Sequence, residues 1–71
     1  MTGYEYYDFV GETVDGDIIE DSFDIPLTRK EAKDYAIRLL KKLGGGHIDV
    51  MYADPDIARF YRSDFAFDVE V

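Results

Sequence analysis

The apolar positions of this chain change period along its length, and each period predicts an element. From Tyr4 to Ile25, Tyr, Phe, Val and Ile are frequent, which predicts two strands joined as a hairpin. Asp15-Gly16 supplies the residues of a two-residue type I′ turn, whose central positions both need φ > 0. That turn sets Val14 opposite Asp17. It places Tyr6, Val10, Ile19, Phe23 and Ile25 on one face and Tyr7, Phe9 and Ile18 on the other.

After Pro26 the period lengthens to that of a helix. Thr28 followed by Glu31 is a capping-box signature, in which each side chain satisfies a backbone N–H of the helix start. Ala32, Tyr35, Ala36, Leu39, Leu40 and Leu43 form one apolar stripe, and Lys33, Asp34, Arg38, Lys41 and Lys42 take the wet side. Cations near the C-terminus suit the helix dipole, and Gly44-Gly45-Gly46 supplies a left-handed stop.

Alternation returns at His47 to Ala53, with Ile48, Val50 and Tyr52 in phase, and again where Phe65, Phe67, Val69 and Val71 alternate with Ala66, Asp68 and Glu70. Between them, Asp54-Pro55-Asp56 fits the cap of a short helix over 55–61 or a turn into a longer strand, and the short helix is preferred. The order is β-β-α-β-(short α)-β. It predicts a single α+β domain over 1–71, an antiparallel four-stranded sheet with one amphipathic helix packed on one face.

Length and composition narrow the class. A chain of 71 residues has room for one core, and burying only about 60% of its unfolded surface leaves a margin of a few kcal/mol. There is no Cys, so packing alone must hold the fold. Eleven aromatic residues, six Tyr and five Phe, argue against disorder. The N-terminus has no basic and apolar leader pattern, and no run reaches the roughly 20 apolar residues of a membrane span, so the sequence predicts a cytoplasmic protein without membrane contact.

Charge changes the picture most. Residues 1–27 hold Glu5, Asp8, Glu12, Asp15, Asp17, Glu20, Asp21 and Asp24 with no Lys or Arg, and the whole chain carries −8. Residues 28–43 hold six bases against Glu31 and Asp34, while residues 44–71 hold six acids against Arg59 and Arg62. So acidic a hairpin disfavours direct binding of nucleic acid and favours a basic protein partner. The expected contact residues are Glu5, Asp8, Glu12, Asp17, Glu20, Asp21 and Asp24, joined by Tyr7 and Phe9, which with Ile18 would form an exposed aromatic patch on the face the helix leaves open.

Carboxylates about 6.8 Å apart along a strand form a regular anionic array, able to compete for a groove built for phosphates. In size and charge only, the chain resembles phage-borne anti-restriction and anti-CRISPR proteins, and no motif assigns it to a family. The expectation is therefore a small protein-binding or inhibitor protein, a nucleic-acid mimic that blocks the basic groove of a nuclease or defence complex. The alternative is an assembly module, a homodimer whose acids serve solubility and protect sheet edges.

Chemistry adds little. One His, two Ser and no Cys make a thin catalytic inventory, and the triple glycine lacks the Lys-Ser/Thr of a phosphate loop. Asp15 with Asp17, and Asp54 with Asp56, lack the spacing of a Ca²⁺ loop. The sequence predicts no catalytic residue, no cofactor and no metal site.

Overall fold

In the computed structural model, residues 3–23, 25–53 and 62–71 are described, residues 62 and 63 by backbone alone. The short helix expected over 55–61, and Asp24, lie outside them. The elements are β1 (Tyr4–Glu5), β2 (Tyr7–Thr13), β3 (Ile18–Ser22), β4 (Leu27–Thr28), α1 (Arg29–Lys42), β5 (Gly46–Ala53) and β6 (Arg62–Glu70). Strands β3-β2-β5-β6 form one antiparallel sheet in that order, and α1 covers one face, an α+β fold. The short strands β1 and β4, which the sequence did not announce, pair with each other beside it.

The hairpin between β2 and β3 departs from expectation by one residue. Glu12 pairs with Ile18, so the loop is Val14-Asp15-Gly16 and not Asp15-Gly16. Gly16 N–H donates to the Thr13 carbonyl at 3.0 Å, and Thr13 N–H to the Asp17 carbonyl at 2.9 Å, while the Thr13 hydroxyl accepts from Asp17 N–H at 3.0 Å. Gly16, at φ +91°, supplies the left-handed residue that closes this three-residue loop. A one-residue slip turns a strand over relative to its partner. Tyr7 and Phe9 therefore join Ile19 and Phe23 on the covered face, and Val10 and Ile18 share the open one.

Helix α1 begins as the sequence predicts. Glu31 N–H donates to the Thr28 hydroxyl at 3.1 Å, and the Glu31 carboxylate accepts from Thr28 N–H at 2.9 Å. At the other end, Gly45 N–H reaches the Leu40 carbonyl at 2.7 Å and Gly44 N–H the Lys41 carbonyl at 3.3 Å. This is a Schellman closure with Gly44 at φ +89°. Leu43, expected at the end of the buried stripe, is exposed because the helix stops before it.

The core joins Ala32, Ala36 and Leu40 of the helix to Tyr7, Phe9, Ile19, Ile48, Val50 and Val69 of the sheet. Phe9 meets Phe23 and Tyr35 edge-on, with ring centroids 5.7 and 5.0 Å apart, and Tyr7 stacks on Tyr52 at 5.5 Å. The Arg29 guanidinium lies 4.4 Å over the Phe67 ring and ties the helix start to β6. Gly11 sits where the backbone of β5 runs too close to admit a side chain, since a Cβ there would stand 1.9 Å from the His47 carbonyl oxygen. In β6 the register shifts between the partners Val50 and Met51, so Phe67 faces Val50 while Phe65, two residues earlier, faces Met51. That bulge sends Phe65, expected in phase with Phe67, to the open face, where it is 56% exposed.

The open acidic face of the sheet

Strand pairing determines which side chains share the face that α1 leaves uncovered. With residues alternating along each strand, three rows cross the sheet. The first runs Ile18, Glu12, His47, Glu70; the second Glu20, Val10, Asp49, Asp68; the third Ser22, Asp8, Met51, Phe65. Asp49 and Asp68 are directly opposed, with Cβ atoms about 4.5–5.5 Å apart, and Glu12, Glu20 and Glu70 join them as diagonal neighbours at about 7–8 Å, so the five form one sheet-wide acidic surface. Among the described side chains, His47 is the only nitrogen base in these rows.

The expected contact residues divide between the two sides. Glu12 and Glu20 stand on the open face, both exposed. Asp8 belongs to the same rows but is buried, at 3% exposure. Glu5 is exposed on β1, and Asp17 is exposed at the mouth of the hairpin loop. Asp21 lies on the helix side, where its carboxylate accepts from the Tyr35 hydroxyl. Asp24 is outside the described residues.

Tyr7 and Phe9 correct the expectation of an exposed aromatic patch. They are 2% and 0% exposed, as the three-residue hairpin loop turns them toward the helix. Ile18, 74% exposed, stays on the open side without them.

Sequence reasoning missed half of the face. Asp49, Asp68, Glu70 and His47 come from β5 and β6, and their place beside the hairpin acids depends on which strands pair. The available signal was their phase, opposite to Ile48, Val50, Phe67 and Val69.

Within the face, His47 Nε2 lies 3.2 Å from Asp49 Oδ1 and 3.5 Å from Asp68 Oδ2. These three donor atoms all lie within 4.8 Å of one another. On the opposite layer, burial first, then the hydrogen bond to Asp21 and its charge, push the Tyr35 phenol up to about 12. Burial likewise raises Tyr7, aided by Tyr52 and Glu5 and opposed by Arg29.

Among the described side chains, the lysines and arginines occupy the other side of the molecule. Helix α1 carries Arg29, Lys30, Lys33, Arg38, Lys41 and Lys42, all exposed, and Lys30 pairs with Asp34 at 2.9 Å. The fold thus converts a division of charge along the sequence into a division between layers. Two shallow hollows flank Tyr35, one of about 210 Å³ beside Phe23, Leu27 and Arg38, the other of about 340 Å³ beside Arg38, Leu39 and Lys42. No helix among the described residues is long and apolar enough to cross a membrane. No family model, no curated protein and no solved structure matches the chain.

Proposed function

We propose that the chain acts by binding a basic protein surface with the open face of its sheet, as a nucleic-acid mimic that occupies a groove built for phosphates. The observation that carries this reading is the continuity of the face. Glu12, Glu20, Asp49, Asp68 and Glu70 are held on four adjacent strands. A rigid array binds without the ordering cost of a flexible acidic tail. Among the described side chains, the lysines and arginines sit on the helix, across the core.

The test is capture of cellular proteins on the immobilised chain at low salt. A protein that leaves at high salt, is displaced by duplex DNA, and is not captured by Glu12→Lys/Glu20→Lys supports the mimic. Asp21→Asn, on the covered side, should leave capture intact. A partner that survives high salt and both face substitutions would overturn the reading.

One observation favours a second class of function. Ile18 is 74% exposed on β3, an edge strand of the sheet, and pairing of two such edges would make the chain an assembly module. Sedimentation separates the two, since a homodimer through β3 persists in high salt and is lost in Ile18→Lys.

A further inference from the structure

We infer that His47, Asp49 and Asp68 form a binding site for a divalent first-row transition cation of the zinc class. This goes beyond the partner reading and rests on the geometry of three side chains. Their donor atoms, one imidazole nitrogen and two carboxylate oxygens, come from two paired strands and converge within 4.8 Å. In a tetrahedron with metal–ligand bonds of about 2.0–2.1 Å, neighbouring donors stand about 3.3–3.4 Å apart. The two edges from His47 Nε2, at 3.2 and 3.5 Å, bracket that spacing.

Two features favour a cation over a simple ion pair. First, both carboxylates approach the same ring nitrogen, whose one N–H can be aimed at only one of them, whereas a cation at the centre is bound by all three donors. Second, Asp49 and Asp68 are directly opposed across β5 and β6, a pairing of like charges that destabilises a sheet unless positive charge lies between them.

The donor set also selects the metal. An imidazole with carboxylates suits zinc and its neighbours, while all-oxygen sites suit magnesium and calcium. His47 is half-buried and Asp68 exposed, so an ion can enter from solvent and keep an open position for water or a partner's ligand. The chain has one His and no Cys, so this is its single place where a soft nitrogen donor meets carboxylates. Asp15 with Asp17, and Asp54 with Asp56, are neighbours along the chain; this set exists only once β5 and β6 pair.

The experiment titrates the untagged 71-residue chain alone with zinc, followed by calorimetry and by the NMR signals of the His47 ring. The expected result is one zinc per chain, a shifted His47 ring, and a melting temperature that rises with zinc. His47→Gln and Asp68→Asn should each weaken binding about tenfold or more and abolish the thermal shift. Glu20→Gln, at the far edge of the same face, should stay within about twofold of the parent. Equal affinity in all three variants, magnesium competing on equal terms with zinc, or an unmoved His47 ring in excess zinc would each overturn the site. No partner is present in these measurements, so their failure is distinct from failure of the mimic.

Discussion

Tyr35 and Asp21 show how one contact settles the role of a residue. Asp21 belongs to the acidic hairpin by sequence, yet its carboxylate is engaged by the Tyr35 hydroxyl beneath the helix, next to Phe9 and Phe23. The Tyr35 phenol is raised from 10.0 to about 12, so the folded chain holds a proton that the unfolded chain releases across this window. Its contribution to stability is fully present below pH 10 and is lost as pH rises toward 12. Urea midpoints measured across that range should fall, and Tyr35→Phe should flatten the fall, leaving the part due to Tyr7. An equal slope in the variant would remove Tyr35 as the cause.

At the scale of elements, the helix was legible because its signals are local. Thr28, Glu31, the apolar stripe and the glycines after Leu43 all act within a few residues of one another. Thr28→Ala should cost about 1 kcal/mol, the usual worth of an N-cap, a large share of a small domain's margin, measurable as a lower urea midpoint with unchanged slope. The hairpin was legible as a hairpin but not in register. Val14-Asp15-Gly16 accommodates a two- or a three-residue loop, and the choice falls to packing far from the turn. Only the longer loop gathers Tyr7, Phe9, Ile19 and Phe23 under a single helix. The bulge that exposes Phe65 has no marker of its own in the sequence. The acids of the hairpin were read correctly as a charged segment, but their neighbours Asp49, Asp68 and Glu70 became neighbours only through strand pairing. The His47 cluster has the same origin.

For the whole molecule, the layering of charge sets two effects of salt against each other. Carboxylates on the open face repel neighbours about 5–8 Å away, while the attraction between the sheet's acids and the helix's cations acts across the core, over more than about 10 Å. The nearer term dominates, so raising salt from about 0.01 M to about 0.5 M should stabilise the chain, as the Debye length falls from about 30 Å to a few ångströms. A urea midpoint that drops with added salt would show that the attraction between layers prevails. The same layering gives the described side chains a permanent electric dipole, directed from β-sheet to helix. In the field of a cationic groove such a body turns before it touches and arrives sheet first. Its advantage would then lie in the fraction of collisions that succeed, a property of the association rate. A chain of equal net charge with its lysines scattered over both layers would have to find that orientation by chance.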